Sequence, residues 1–281
     1  MKKWLYFICF LGGLFLLWLD FAQAIGGSPL TLELKGKPGE TVSSSVSITN
    51  ESKQESEAKV YLGDWDRDIK GENRFFPPAT VDHSCAGWIE FSPNSLVLKP
   101  GDQLPVKIAV KIPQKAAGTY WAILFAEQKP TLAEQKVRKG ERTVAIYSTM
   151  RVGVKVYLTI VGTEENAGQI TNLAVNPPAK EKPRTVQVEY LNSGNLSQQC
   201  TGKVELRNEN GETIKKLEIE KFYVLPGAKR ILEIPLKDAL APGNYTALAV
   251  VDYGAETVLA GEKAFTVEKS PAKGTSPVKG K

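Results

Sequence analysis

The sequence predicts an all-β protein in which two tandem β-sandwich domains follow an N-terminal signal peptide. Three observations predict this fold class. Apolar and polar residues alternate with a period of two along most of the chain, turn residues recur between these runs, and one set of motifs occurs twice. A chain of 281 residues is long enough for a signal and two domains of ordinary size.

The first 24 residues have the three parts of a secretory signal peptide. Met1–Lys3 is basic, Trp4–Leu19 is apolar, and Ala22–Ala24 provides the small residues of a cleavage site. We expect cleavage before Ile25, no integral membrane segment after cleavage, and a periplasmic, secreted or cell-surface location. An uncleaved anchor is the alternative, although Asp20 ends the apolar stretch short of the ~20 residues that a spanning helix needs.

The charge of the chain argues against a nucleic-acid partner. The net charge is +5, and much of it comes from lysines in the stretch 269–281, which is rich in Pro, Gly and Ser and is expected to be disordered. The rest of the mature chain is close to neutral, whereas a nucleic-acid surface needs a clustered basic face.

Alternating runs predict strands throughout the mature chain. In the first half they lie at Leu30–Leu34, Val42–Thr49, Ala58–Leu62, Trp88–Phe91, Val106–Ile112, Tyr120–Glu127 and Val144–Ile160. In the second half they lie at Ile170–Val175, Thr185–Tyr190, Lys203–Arg207, Thr213–Ile219, Lys229–Pro235, Tyr245–Asp252 and Glu262–Val267. Asn210-Gly211 predicts a type I′ hairpin turn, because both residues tolerate a positive φ.

The run Val144–Ile160 is much longer than the usual strand of about 5–6 residues. We predict either two strands joined by a bend at Gly153 or one long strand that crosses toward the next domain.

An internal repeat predicts that both domains have the same fold. Leu98–Gly101, Ile112-Pro113 and Gly118–Tyr120 are matched, at an offset of about 125 residues, by Leu225–Gly227, Ile234-Pro235 and Gly243–Tyr245. The Pro-Gly pair forms a turn, and the Gly-x-Tyr motif provides an aromatic ring at a sandwich corner. The sequence therefore predicts immunoglobulin-like sandwiches at 25–161 and 169–268, with a linker at 162–168 and the tail at 269–281.

Few residues of the mature chain suggest chemistry. The only histidine, His83, lies two residues before Cys85, so it is either a metal ligand or an ordinary loop residue. Cys85 and Cys200 fall in different predicted domains and form either a disulfide or two buried thiols. With one histidine and no clustered acid–base pair, we expect neither an enzyme nor a cofactor.

Two further groups have alternative interpretations. Asp64, Asp66 and Asp68 share one face of an extended strand and either attract calcium or form a solvated hairpin, with Ile69 where a calcium loop needs glycine. The tryptophans Trp65, Trp88 and Trp121 form either a carbohydrate platform or part of the core.

Both domains resemble proteins of the bacterial cell envelope. Trp88–Pro93, Leu96–Gly101, Val106–Pro113 and Gly118–Trp121 resemble the central strands of the N-terminal domain of pilus-assembly chaperones. Tyr190–Gly194, Gly202–Val204, Asn210-Gly211 and Val224–Gly227 are similar to the same broad fold in surface-protein repeats.

The resemblance implies a way of binding partners. In pilus chaperones the last strand of the first domain adds itself to an incomplete subunit, and a lysine of that strand anchors the subunit's terminal carboxylate. Lys155 matches this lysine, but Pro29–Leu34 contains no arginine where the family has one on its first strand. The implied contact residues are Val144, Ile146, Met150, Val152, Val154, Lys155 and Val156.

The sequence therefore predicts an exported, non-catalytic, chaperone-like module that binds envelope or surface proteins, pilus-like subunits among them, by β-strand addition. The alternative is a structural surface or wall-binding protein that uses the lysine-rich tail and the tryptophans as contacts.

Overall fold

The computed structural model describes residues 25–139, 142–179 and 182–268, with side chains described outside 131–146. The predicted signal peptide at 1–24 and the predicted tail at 269–281 lie outside these ranges. Within them the chain is all-β apart from one 3-10 turn at Ala86–Trp88, which confirms the predicted fold class. This described part contains no helix of the length and apolarity that a membrane span requires.

The first sandwich is immunoglobulin-like. Its strands are β1 (Ile25–Ser28), β2 (Thr31–Gly36), β3 (Thr41–Asn50), β4 (Ser56–Arg67), β5 (Asn73–Phe76), β6 (Ile89–Ser92), β7 (Ser95–Leu98), β8 (Gln103–Lys111), β9 (Gly118–Gln128), β10 (Thr131–Lys139), β11 (Arg142–Ser148) and β12 (Arg151–Ile160). One sheet has the order β1-β3-β8-β6, and the other has the order β2-β12-β9-β4-β5 with β7 also paired to β4. β10 and β11 form a separate hairpin between β9 and β12.

Period-two alternation explains why these two sheets pack against each other. In β8 the side chains of Val106, Ile108 and Val110 are buried, while the exposed Lys107 lies on the opposite face. The even-numbered residues of β12, Val154–Ile160, fill the same core from the facing sheet.

The N-terminal strand changes sheets near Pro29. β1 pairs antiparallel with β3, whereas β2 pairs parallel with the second half of β12, from Lys155 to Ile160. The N-terminal chain therefore joins the edge of β12 only from Lys155 onward, which leaves the part of β12 before Lys155 without this neighbour.

The second sandwich has the strands β13 (Gly168–Asn176), β14 (Arg184–Asn192), β15 (Gln198–Asn208), β16 (Thr213–Val224), β17 (Lys229–Leu236), β18 (Gly243–Asp252) and β19 (Leu259–Val267). They form the sheets β13-β14-β17 and β16-β15-β18-β19 around a second core. As the Gly-x-Tyr motif predicts, the Tyr245 hydroxyl donates to Ala241 O at 2.9 Å and closes a corner of the sandwich.

A buried asparagine ties two turns together in each sandwich. Asn50 Nδ2 donates to Leu98 O at 2.8 Å, and Asn192 Nδ2 donates to Val224 O at 3.1 Å. Each asparagine ends a strand, and its side chain holds the carbonyl that precedes the repeated Pro-Gly turn. The structural repeat is thus more extensive than the sequence motifs alone indicate.

The structure corrects two sequence predictions about local geometry. The run Val144–Ile160 is interrupted at Thr149-Met150, and β12 pairs with β9 without interruption through Gly153, so there is no bend at that glycine. At the second hairpin only Gly211 has a positive φ, 80°, so Asn210-Gly211 does not form a type I′ turn. Instead, Gly211 N–H donates to Asn208 O at 2.9 Å.

Strand β12 ends at Ile160 and β13 begins at Gly168. The domain limits at 25–161 and 169–268 stay a prediction. Cys85 lies in the first core and Cys200 in the second, and both are free thiols.

We predict that Asn50→Ala lowers the free energy of unfolding by about 1–3 kcal/mol, because it leaves the buried Leu98 carbonyl without its donor. Urea titration followed by tryptophan fluorescence measures this change, since every tryptophan of the chain precedes 161. Ser45→Ala, at an exposed position of the same strand, is the control and should change stability little. Equal effects of the two substitutions would contradict the role of Asn50.

Candidate functional site

The candidate site is a cleft of about 420 Å³ between the two sandwiches. Its first wall is the outer face of the sheet that contains β12 and β4, and its second wall is formed by β15 and β16. Arg67, Lys155 and Tyr157 line it from the first sandwich, and Gln198 and Tyr223 line it from the second.

A buried aromatic cluster holds the two sandwiches against each other beside this cleft. Trp65 and Trp121 lie side by side on neighbouring strands, where Trp65 Nε1 donates to Ala122 O at 3.2 Å and Trp121 Nε1 donates to Trp65 O at 2.7 Å. Leu225 of the second sandwich packs into the same cluster. Both indole N–H groups are therefore satisfied although both rings are buried.

Lys155 projects from β12 into the cleft because odd-numbered residues of this strand face away from the first core. Its Nζ lies 4.0 Å from the ring centroid of Trp65 and donates to Asn73 Oδ1 at 3.1 Å. Burial, and secondly the positive charge of Arg67, lower the pKa of Lys155 from its ordinary 10.5 to about 8.

Arg67 provides a second positive charge in the cleft. Its Nε donates to Asn73 Oδ1 at 3.3 Å, so Lys155 and Arg67 share one neutral amide oxygen. Neither cation forms a salt bridge with any carboxylate in the part of the chain that the structure describes, although Glu33 also lines the cleft. Two cations without a compensating carboxylate are an electrostatic site for an anion.

An open strand edge lies next to these cations. β2 pairs only with Lys155–Ile160, so the outer edge of Arg151–Val154 has no neighbouring strand among the described residues. Lys155 N–H donates to Leu30 O on this outer side, whereas Met150 O accepts from β9 on the inner side. Because main-chain groups alternate sides along a strand, those of Arg151 and Gly153 point outward.

Exposed apolar side chains surround the open edge. Leu30 is 59% exposed, Met150 is 40% exposed and Tyr147 is 67% exposed. Each stands within a few residues of the main-chain groups that point outward. Strand addition to an unpaired edge is one of the general ways in which proteins recognise extended peptide segments.

The predicted contact residues have different positions in the structure. Val154 is 1% exposed and Val156 is 0% exposed, so both belong to the protein's own core and their predicted role as partner contacts is wrong. Val152 is half-buried against that core, and Met150 is exposed. Val144 and Ile146 lie on β11, where only the backbone is described.

The predicted calcium alternative is not supported by the geometry of its three carboxylates. Asp64 is fully buried and accepts from Thr80 N–H at 2.6 Å, which fixes the loop before the 3-10 turn. Asp66 pairs with Arg74 at 2.7 Å, and Asp68 accepts main-chain N–H groups of its own turn. Each of the three carboxylates thus already has its own hydrogen-bond or ion-pair partners within the protein.

The predicted metal and carbohydrate alternatives also lack a suitable geometry. The ring of His83 stacks on Trp121 with an interplanar angle of 10°, whereas Cys85 lies in the first core, where burial raises its pKa to about 12. Trp88 packs against Tyr120 with an interplanar angle of 51° beside the first core, and the other two tryptophans are buried between the sandwiches. Trp65 and Trp121 are thus buried, but in the cluster between the sandwiches and not in the core of one sandwich.

Sequence reasoning missed Arg67, Tyr223 and Leu30. The resemblance directed attention to the first strand, but the second cation lies on β4. Arg67 stands two residues after Trp65, so period-two alternation places both on one face, and this signal was available. The position of Tyr223 was not accessible from sequence, because it depends on how the two sandwiches pack.

We predict that Arg67→Gln raises the pKa of Lys155 above 8 but leaves it below 10.5, because the charge repulsion disappears while burial persists. NMR titration of the lysine Cε resonances measures this pKa. Arg74→Gln, which removes an arginine paired with Asp66, is the matched control and should leave the pKa of Lys155 unchanged. An unchanged value in Arg67→Gln would contradict the described electrostatics.

Comparison with known proteins gives distant structural similarities only. No protein-family model and no curated protein matches the chain. A chain from a chaperone–tip adhesin complex of CFA/I fimbriae biogenesis is similar over 85% of this chain and 98% of its own, with 15% identity and a TM-score of 0.48. The Salmonella enterica SafA pilin–SafB chaperone complex is similar over 87% of this chain and 97% of its own, with 11% identity and a TM-score of 0.43.

A third similar structure is the CsuC–CsuE chaperone–tip adhesion subunit complex from the Csu pili of Acinetobacter baumannii. It is similar over 84% of this chain and 97% of its own, with 10% identity and a TM-score of 0.44. Structures of pilus chaperones are thus among those that this chain resembles, as its sequence predicts. At these identities and TM-scores the likeness carries no argument about partners or mechanism.

Proposed function

We propose that this chain is an exported, non-catalytic protein-binding module of the cell envelope, which binds an extended segment of a partner along the outer edge of β12. In this proposal a carboxylate of the partner, such as its C-terminus, binds between Lys155 and Arg67. The partners are envelope or surface proteins that present such a segment, and pilus-like subunits belong to this class.

The observation that carries the proposal is the pair of cations that share Asn73 Oδ1. A neutral amide oxygen satisfies one hydrogen bond of each cation but compensates neither charge. A hydrogen bond to a charged group contributes about 1.5–3 kcal/mol, roughly twice the value of a neutral one. Because Lys155 is already partly desolvated, an arriving carboxylate gains this energy at a smaller desolvation cost than at a fully exposed lysine.

The open edge gives the partner a direction of approach. An extended segment that pairs with Arg151 and Gly153 continues the sheet in line with β2 and lies next to the cations. Main-chain hydrogen bonds of this kind bind peptides with little dependence on their sequence, so the flanking side chains and the carboxylate provide selectivity. Met150 and Val152 keep their proposed contact role, as do Val144 and Ile146, on β11.

The state of the cysteines agrees with a non-catalytic role. Burial raises the pKa of Cys200 to about 11, and Cys85 is similarly held as a neutral thiol in the first core. A nucleophilic cysteine needs the opposite shift, toward the thiolate.

We predict that Lys155→Met weakens binding of a peptide with a free C-terminal carboxylate by at least about tenfold, because one charge-assisted hydrogen bond is lost. The probe is an N-acetylated octapeptide of alternating valine and serine, measured by isothermal titration calorimetry. The same peptide with a C-terminal carboxamide should bind the wild-type protein weakly and should be insensitive to the substitution.

The matched control for this test is Lys107→Met, which removes an exposed lysine from the opposite sheet of the same sandwich. It should leave binding of both peptides unchanged. If the wild-type protein binds the carboxylate and carboxamide peptides equally, the cleft is not a carboxylate site and the proposal is wrong.

A further inference from the structure

We infer that Tyr223 is a positioning residue for the carboxylate site, so that this site is complete only when both sandwiches keep their observed arrangement. The inference rests on the proposed function of Lys155 and Arg67. It adds that the second sandwich contributes to capture through its contact with Arg67, and that displacement of this sandwich weakens the hold on a bound carboxylate.

The Arg67 guanidinium lies over two aromatic rings. Its Cζ lies 5.3 Å from the ring centroid of Trp65 and 5.1 Å from that of Tyr223. One ring belongs to each sandwich. A guanidinium within about 6 Å of an aromatic face is attracted by the ring quadrupole, and here both rings contribute this attraction.

Arg67 depends on these rings for its orientation. An arginine side chain loses considerable rotamer freedom when it is fixed, so a few contacts must hold it. Asn73 Oδ1 accepts from Nε at 3.3 Å, a long hydrogen bond, and no carboxylate in the described ranges forms a salt bridge with Arg67. The two rings therefore provide much of the constraint on the guanidinium plane.

The position of Tyr223 depends on the packing of the two sandwiches. Tyr223 is the penultimate residue of β16, and its own side chain is 40% exposed. Two residues later, Leu225 is buried in the cluster of Trp65 and Trp121. The ring therefore covers Arg67 only while Leu225 is docked in this cluster.

Main-chain hydrogen bonds between the sandwiches support the same arrangement from both sides of this cluster. Thr119 N–H donates to Asn195 O at 2.8 Å, and Ile231 N–H donates to Ile69 O at 2.8 Å. Lys155, by contrast, contacts Trp65 and Asn73, both of the first sandwich. The position of Arg67 thus depends on the arrangement of the two sandwiches, whereas the position of Lys155 does not.

The experiment compares Tyr223→Ala with Tyr223→Phe, which keeps the ring. For each variant the affinity of the valine–serine octapeptide with a free carboxylate is divided by the affinity of its carboxamide form, and this ratio is the carboxylate discrimination. We expect Tyr223→Ala to lower the ratio by about threefold to tenfold and Tyr223→Phe to preserve it, because the ring face carries the interaction. Circular dichroism of each variant verifies the fold.

A second pair of variants tests whether Tyr223 acts through Arg67. Arg67→Gln alone should lower the discrimination, and Tyr223→Ala should cause no further loss when it is added to Arg67→Gln.

The outcomes separate the inference from the proposed function. If the wild-type protein discriminates and Tyr223→Ala does so equally well, the role of Tyr223 is wrong while the carboxylate site stands. A loss of affinity for both peptides alike in Tyr223→Ala would indicate a merely structural role and overturn the inference. If the wild-type protein itself shows no discrimination, the proposed function fails, and this inference fails with it.

Discussion

The burial of Trp65 and Trp121 between the two sandwiches is the interaction on which the cleft depends. Each indole N–H has a main-chain acceptor, so the two large rings are buried without an unsatisfied donor. The ring of Trp65 also contacts both cations, since Lys155 and Arg67 both lie over it. The same residue thus holds the sandwiches together and places the positive charges that face the cleft.

The second constraint is the change of sheet by the N-terminal strand. Had this strand stayed beside β12 along its whole length, the main-chain groups of Arg151 and Gly153 would have partners within the protein. Ile25–Ser28 pair instead with β3, and of the two N-terminal strands only β2 pairs with β12, from Lys155 onward. A short open edge therefore remains next to the cations. An added Cβ at Gly153 would lie 2.8 Å from Ile123 Cδ1, so a larger residue there would shift the end of the Ile123 side chain. Edge and charge together make the surface suitable for the end of an extended chain.

The sequence predicted the fold well because alternation and turn residues are local signals. Lys155, which the sequence predicts as a partner contact, lines the cleft, and its role in binding stays a prediction. Alternation could not distinguish a strand that binds a partner with its side chains from one that fills its own core, and Val154 therefore received the wrong role. Arg67 was overlooked because its neighbouring acids suggested a different chemistry, and Tyr223 because its position depends on tertiary packing. The proposal of a binding strand therefore rests on the main chain of β12 and not on the side chains of Val154 and Val156.

The central claim is that the outer edge of β12 receives an extended segment whose carboxylate reaches Lys155 and Arg67. Amide hydrogen exchange of the full chain, with and without the carboxylate-terminated octapeptide, tests this claim most directly. The account predicts that the amides of Arg151 and Gly153 become protected on binding, whereas those of Val152 and Val154, which face β9, change little. Binding of the peptide without protection of Arg151 and Gly153 would contradict it.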